Sequence, residues 1–255
     1  MLSLRTITVT LVATVCLSLV TACASGGGSA SPSPSATVTP APTPTPESTP
    51  VISIDRPEDG QPLSVPVTMS GTANTFEAAL TVDALDEAGD QLCVRHIMAT
   101  SGSGTAGKWE TTLAFPPQDT DMPVTLRAYE LSSKDGSKVN LVDRKVTISP
   151  ERPPIVITTP VCGDMVAPGG TLAVTGTAFV FEAALTVELR DASGAAVVTQ
   201  NVTAESGGEE SAWRAFLAIP ANLAVGMYDL VAFDFSAKDG SIQDEFSVQV
   251  LVQRE

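Results

Sequence analysis

Apolar and polar residues alternate strictly at residues 76–82, which read Phe-Glu-Ala-Ala-Leu-Thr-Val. A period of two over seven residues predicts a half-buried strand, with Phe76 on the face that points inwards. The same seven residues return at 181–187, and Gly-Thr-Ala precedes both segments, at 71–73 and 176–178. Because a repeat of this kind marks duplicated structural units, the chain contains two copies of one domain.

Short β-prone runs separated by turn residues continue through both copies. Asp-x-x-Gly at 86–89 and Lys-Asp-Gly-Ser at 134–137 each have a counterpart in the second copy. About seven short strands per roughly 100 residues, with regular turn signals, are typical of an immunoglobulin-like sandwich. No helical period appears in either copy. The sequence therefore predicts an all-β fold of two tandem immunoglobulin-like β-sandwiches, at 51–149 and 154–252.

The junction between the copies, residues 149–154, reads Ser-Pro-Glu-Arg-Pro-Pro. Prolines fix the backbone and stiffen such a connection. We therefore expect the two domains to stand end to end at a restricted angle.

The N-terminal segment, residues 1–22, has the pattern of a secretory signal peptide. Arg5 is its only charge, and the apolar run after it is too short to span a bilayer stably. The run ends in Val-Thr-Ala-Cys at 20–23, which resembles the bacterial lipobox. This resemblance implies that Cys23 is lipidated and that the protein is extracytoplasmic, anchored to the cell membrane. Ordinary secretion with an incidental cysteine is the alternative.

Residues 23–50 contain this cysteine and then glycine, serine, and repeated Ser-Pro, Ala-Pro and Thr-Pro pairs. Such a segment has almost nothing to bury and cannot offset the entropy lost on ordering. It is predicted to be a disordered linker, a stalk that carries the domains away from the membrane.

The chain is acidic, with 29 Asp and Glu, 14 Lys and Arg, and a net charge of −15. No basic stripe could neutralise phosphates, so nucleic acid is excluded as a partner. Solubility is the simplest explanation of the acidity, and calcium or a cationic polymer is the alternative. Asp119 and Asp121 do not form the spaced loop that binds calcium, and the sequence predicts neither a metal site nor a cofactor.

Catalytic residues are not evident in either copy. His96 is the only histidine, predicted to be exposed, and no Gly-x-Ser-x-Gly motif is present, so a serine nucleophile would lack its base. Glu77 and Glu182 repeat; they are either polar-face residues that fix the local backbone or part of a ligand site. Trp109 and Trp213 are predicted to anchor the two cores.

Two of the four cysteines, Cys93 and Cys162, lie in the predicted domains. There is one in each copy, and neither has a counterpart in the other copy. Two such cysteines can pair outside the cytoplasm. Cys93 stands where the second copy has Val198, which favours a buried free thiol. A disulfide between the domains and two free thiols both stay open.

The strand predicted at residues 228–235 is apolar on both faces. Such a strand is either fully covered or exposes a contact surface. We predict that the face of Val231, Phe233 and Phe235 meets a partner or the other domain.

Taken together, Pro-x-x-Gly after the first strand, Gly-Thr-Ala, Phe-Glu-Ala-Ala-Leu-Thr-Val, Asp-x-x-Gly and the late Asp-Gly resemble the immunoglobulin-like domain of bacterial spore-germination proteins. The resemblance covers both copies and implies an extracytoplasmic accessory module without catalytic residues. We therefore expect a non-enzymatic, lipid-anchored surface protein whose paired domains act as a binding or spacer module for an envelope protein or wall polymer. The alternative is an accessory structural subunit of an envelope complex, including one linked to sporulation or spore germination.

Overall fold

The computed structural model describes residues 51–254. The predicted signal peptide, the linker and Cys23 lie outside these residues. The described chain is almost entirely β, which confirms the predicted fold class. The strands of the first domain are β1 (Pro62–Leu63), β2 (Val67–Ala73), β3 (Ala79–Leu85), β4 (Gln91–Met98), β5 (Gly107–Leu113), β6 (Met122–Leu131) and β7 (Lys138–Ile148). Those of the second are β8 (Ile155–Thr159), β9 (Met165–Val166), β10 (Thr171–Ala178), β11 (Ala184–Arg190), β12 (Ala196–Thr203), β13 (Ser211–Ala218), β14 (Gly226–Phe235) and β15 (Ile242–Val252).

Each domain contains one large and one small sheet. In the first domain the large sheet has the order β1-β7-β6-β3-β4 and the small sheet pairs β2 with β5. In the second domain the orders are β12-β11-β14-β15-β9 and β13-β10-β8. Strands β4 and β12 therefore occupy equivalent edges of the two large sheets. Apolar side chains from both sheets fill the space between them, as expected for a sandwich.

The Gly-Thr-Ala repeat is explained by close packing against a tryptophan. Gly71 pairs with Trp109 across the small sheet, and Gly176 pairs with Trp213 in the second domain. A Cβ atom at either glycine would overlap a backbone carbonyl of the neighbouring segment and the indole ring. Both tryptophans are buried in the cores, as predicted.

The repeated Phe-Glu-Ala segment is not the start of a strand, and the predicted inward position of Phe76 is wrong. Residues 76–78 form a 3-10 turn in which Glu77 and Ala78 have φ angles of 54° and 61°. These two left-handed residues break the alternation, so Phe76 points outwards and is 61% exposed. The strand begins at Ala79, and Phe181 in the second copy is exposed in the same way.

The predicted contact face on β14 is covered at two of its three positions. Val231 and Phe233 are buried, whereas Phe235 is 53% exposed. The guanidinium of Arg190 lies 5.1 Å from the centre of the Phe233 ring and also pairs with Glu188. Asp229 and Ser247 lie beside Val231 on this face, and Arg95 of the first domain contacts both. The face therefore meets the other domain there, which is one of the two alternatives that the sequence left open.

Candidate functional site: the cleft between the two domains

A disulfide joins the two domains. Cys93 on β4 is bonded to Cys162 in the loop between β8 and β9, with the two Cα atoms 4.7 Å apart. Both residues are buried. The loop can approach β4 closely because Gly163 has no side chain; a Cβ there would lie 2.6 Å from Cγ1 of Val94. The free thiol that the sequence favours for Cys93 is thus not what the structure shows.

The edge of the first domain's large sheet is closed by a side chain from the second domain. Strand β4 pairs with β3 on one side only. The backbone N–H of His96 donates to Oε1 of Gln249 at 2.7 Å, and Nε2 of Gln249 donates to the His96 carbonyl at 3.2 Å. The carboxamide therefore satisfies a donor and an acceptor that an edge strand would otherwise leave open.

An ion pair lies beside this contact. Nη2 of Arg95 on β4 is 2.6 Å from Oδ1 of Asp229 on β14, and the Arg95 side chain is largely buried. Its Nη1 also reaches the Ser247 hydroxyl on β15, at 3.5 Å. The edge of one sandwich thus lies against a sheet face of the other, whereas the stiff junction had suggested domains standing end to end.

A cleft of about 560 Å³ opens next to these contacts. Its volume falls within the usual range for ligand sites. Part of its wall is apolar and comes from side chains that are exposed rather than packed in a core, namely Phe76, Met98 and Leu131. Met227 and the Asp191–Ala192 turn of the second domain form the opposite side.

Carboxylates surround the apolar part of the cleft: Glu77, Glu130, Asp191 and Asp229. Glu130 accepts a hydrogen bond from the backbone N–H of Phe76 at 2.8 Å, which fixes the phenylalanine at the cleft wall. Hydrogen bonds from the Ser193 side chain and backbone lower the pKa of Asp191, so this carboxylate is ionised at neutral pH. Arg95 is the one Lys or Arg among the lining residues, and Asp229 already pairs with it. The cleft therefore has an excess of negative charge.

His96 lines the same cleft and is exposed, as predicted. The ring lies beside β3, with Nδ1 3.1 Å from Oγ1 of Thr81. Burial lowers the pKa of His96, so the imidazole is neutral at pH 7. In the second domain Asn201 takes its place and accepts a hydrogen bond from Thr186.

Metal-binding side chains do not cluster in the described part of the chain. Residues 51–254 contain no cluster of three or more His, Cys, Asp or Glu side chains able to hold a metal ion. Within the same range, no helix is both long and apolar enough to cross a membrane.

The sequence also matches a known domain family twice. Residues 51–137 and 154–241 both match the immunoglobulin-like domain of bacterial spore germination. The chain belongs to this family. No curated protein matches the sequence significantly.

Several solved structures share a distant likeness. The fibronectin(III)-like modules of Clostridium thermocellum CbhA are 12% identical, with a TM-score of 0.27, over 80% of this chain and 94% of that one. An ICAM-5 ectodomain fragment is 16% identical, with a TM-score of 0.28, over 80% and 53%. The BSP domain of a biofilm-associated protein is 13% identical, with a TM-score of 0.21, over 80% and 29%. Scores this low support no inference about function.

The two copies of the spore-germination domain differ at the positions that join them. Where the first copy has Cys93 and Arg95 on its edge strand, the second has Val198 and Gln200. Where the second has Gln249 on its sheet face, the first has Lys145. Of these residues only the cysteines gave a signal in the sequence, because Arg95 and Gln249 look like ordinary strand residues.

Proposed function

We propose that this chain is a non-enzymatic, lipid-anchored surface protein in which two immunoglobulin-like domains act as one binding unit. Its ligand is an envelope protein or wall polymer, and the binding site is the cleft between the domains. The proposal rests on one observation. A disulfide, a carboxamide contact and an ion pair join the domains beside a cleft with exposed apolar side chains.

Exposed apolar side chains at a joined interface favour a binding role over that of a simple spacer. Phe76, Met98 and Leu131 are all large, and each is at least 45% exposed. Clustered apolar surface of this kind marks contact sites on soluble domains. A spacer requires no such cluster.

The lipid anchor is tested at Cys23. We expect the full chain to fractionate with membranes and a Cys23→Ser variant to appear in the medium. If the variant fractionates with membranes like the wild type, anchoring by this residue is excluded. The outcome is independent of the cleft.

Binding in the cleft is tested by a photo-crosslinking amino acid placed at Met98 in the full chain in cells. The matched control is the same amino acid at Thr203, which occupies the equivalent edge position in the second domain. We expect a crosslinked envelope protein or wall polymer from position 98 and not from position 203. Equal crosslinking at both positions, or none at either, would exclude the cleft as the site.

A role as an accessory structural subunit of an envelope complex is the second candidate. Membership of a family described by spore germination favours it. Deleting the protein from a spore-forming host would then delay germination or sporulation, and a Phe76→Ser variant would restore both. If the wild-type chain restores germination or sporulation and the Phe76→Ser variant does not, the result would instead support the binding role.

A further inference from the structure

We propose that the cleft binds an extended, basic segment of a partner protein, which adds as a short strand to the edge of β4 at Met98. This inference rests on the proposed function, because it names the ligand class for the same cleft. Three features of the structure carry it: an open edge, an internal example of how that edge binds an amide, and the charge of the surrounding residues.

The open edge follows from the register of β3 and β4. His96 directs its N–H and C=O away from β3, since both groups bind Gln249. Backbone groups alternate in direction along a strand, so those of Met98, two residues further on, point the same way. Met98 faces Ala79 across the pair and lines the cleft, with 65% of its surface exposed.

Gln249 shows how this edge binds an amide. Its carboxamide offers one acceptor and one donor to His96, as a peptide unit of an added strand would. A ligand backbone that enters the cleft beside Gln249 meets the next free pair of groups at Met98. The Gln249 side chain therefore makes the first pair of hydrogen bonds to this edge, and a partner strand can continue the pairing at Met98.

The charges select a basic segment. Glu77 and Asp191 line the cleft, and among residues 51–254 neither forms an ion pair. Arg95 is already neutralised by Asp229. Lysine or arginine side chains of a ligand would meet these carboxylates, whereas an acidic segment would be repelled by them and by the net charge of −15.

The apolar wall suits the other face of such a strand. Side chains of an extended peptide point alternately to opposite sides. Those facing the first domain would contact Phe76 and Leu131, which the Glu130 hydrogen bond to the Phe76 backbone helps to position. The chain's own linker does not meet these requirements, because residues 24–50 contain Glu47 as their only charge and no lysine or arginine.

The test uses the purified full chain and a fluorescein-labelled hexapeptide of alternating lysine and valine, followed by fluorescence anisotropy. We expect saturable binding that weakens as salt is added, and binding at least tenfold weaker for the glutamate–valine analogue. Methylating the backbone nitrogens of the lysine–valine peptide should weaken binding by a similar factor, because a methylated nitrogen cannot donate to the edge.

The repeat supplies matched controls. Phe76→Ser and Glu77→Gln should each weaken binding of the lysine–valine peptide by about five- to tenfold. Phe181→Ser and Glu182→Gln, at the same positions of the second domain, should leave it unchanged. All four side chains are exposed, and thermal unfolding of each variant verifies that it is folded.

Four outcomes would overturn the inference: equal binding of the two peptides, no effect of Phe76→Ser, no effect of backbone methylation, or displacement by spermine at the peptide's own concentration. The last two would show that the site takes a cation rather than a strand. If these peptides fail while Met98 crosslinks to a wall polymer, the proposed function stands and the peptide inference does not. Failure of both experiments would remove both.

Discussion

Breaking the disulfide between Cys93 and Cys162 should lower the stability of the described unit more than any single side-chain change at the cleft. The two cysteines are 69 positions apart in the sequence. A bridge over that distance restricts the unfolded chain by about 4 kcal/mol according to loop-closure entropy. With a denaturant slope of roughly 2–3 kcal/mol per molar urea, the unfolding midpoint should fall by about 1–2 M.

The assay is urea unfolding of the purified chain, followed by tryptophan fluorescence, with and without reductant. A Cys93→Val, Cys162→Ala double variant provides the same comparison without reductant, and valine is the residue that the second domain has at the equivalent position. Trp109 lies in the first domain and Trp213 in the second, so each tryptophan reports the unfolding of its own domain. We expect a single transition in the oxidised wild type and separable transitions in the variant.

Two results would contradict a stabilising disulfide between the domains. The first is an unfolding midpoint that does not move on reduction. The second is titration of two free thiols in the purified, native protein, which would show that the bond does not form.

Three further predictions follow from individual contacts. Gln249→Leu should lower the free energy of unfolding by about 1–3 kcal/mol, because it leaves the N–H and C=O of His96 facing an apolar group. Lys145→Leu at the equivalent position should change it by less than about 0.5 kcal/mol, and equal effects would contradict the edge contact. Because burial lowers the pKa of His96 below its ordinary 6.5, the unfolded chain takes up a proton first, so this residue should reduce stability as the pH falls below about 6.5. A His96→Asn variant should lose that component of the pH dependence of Tm between pH 7.5 and 5, and an identical pH profile would contradict it. Phe233→Ser should cost about 3–5 kcal/mol of stability, whereas Phe235→Ser should cost less than about 1 kcal/mol; similar values in urea unfolding would contradict the difference in burial.

The sequence contains enough information to predict the duplicated sandwich, because the repeat and the alternation of apolar residues depend on local patterns. Gly71 and Trp109 illustrate this, since a residue without a side chain and a buried indole face each other in both copies. The inward position of Phe76 could not be predicted correctly. Alternation assumes extended backbone, and neither Glu77 nor Ala78 is a residue type that signals positive φ.

The cleft could not be predicted from the sequence either, but for a different reason. It depends on which edge of one domain meets which face of the other, and residues as far apart as His96 and Gln249 decide that. The covering of Phe233 is similar, because Arg190 reaches it from a neighbouring strand rather than from the directly opposite position. Cys93 and Cys162 gave the one hint, since each lacks a counterpart in the other copy.

The difference between the copies at their junction also limits how these molecules can assemble. Edge-to-face contact is a head-to-tail arrangement, and identical repeats would continue it from one molecule to the next into open filaments. Here the free edge of the second domain carries Val198 and Gln200, and the matching face of the first carries Lys145. The contacts that join the two domains within one chain therefore cannot form between the edge of the second domain of one chain and the face of the first domain of another. The pair is therefore a closed unit, and a second copy of the chain would offer no matching edge or face for it to bind.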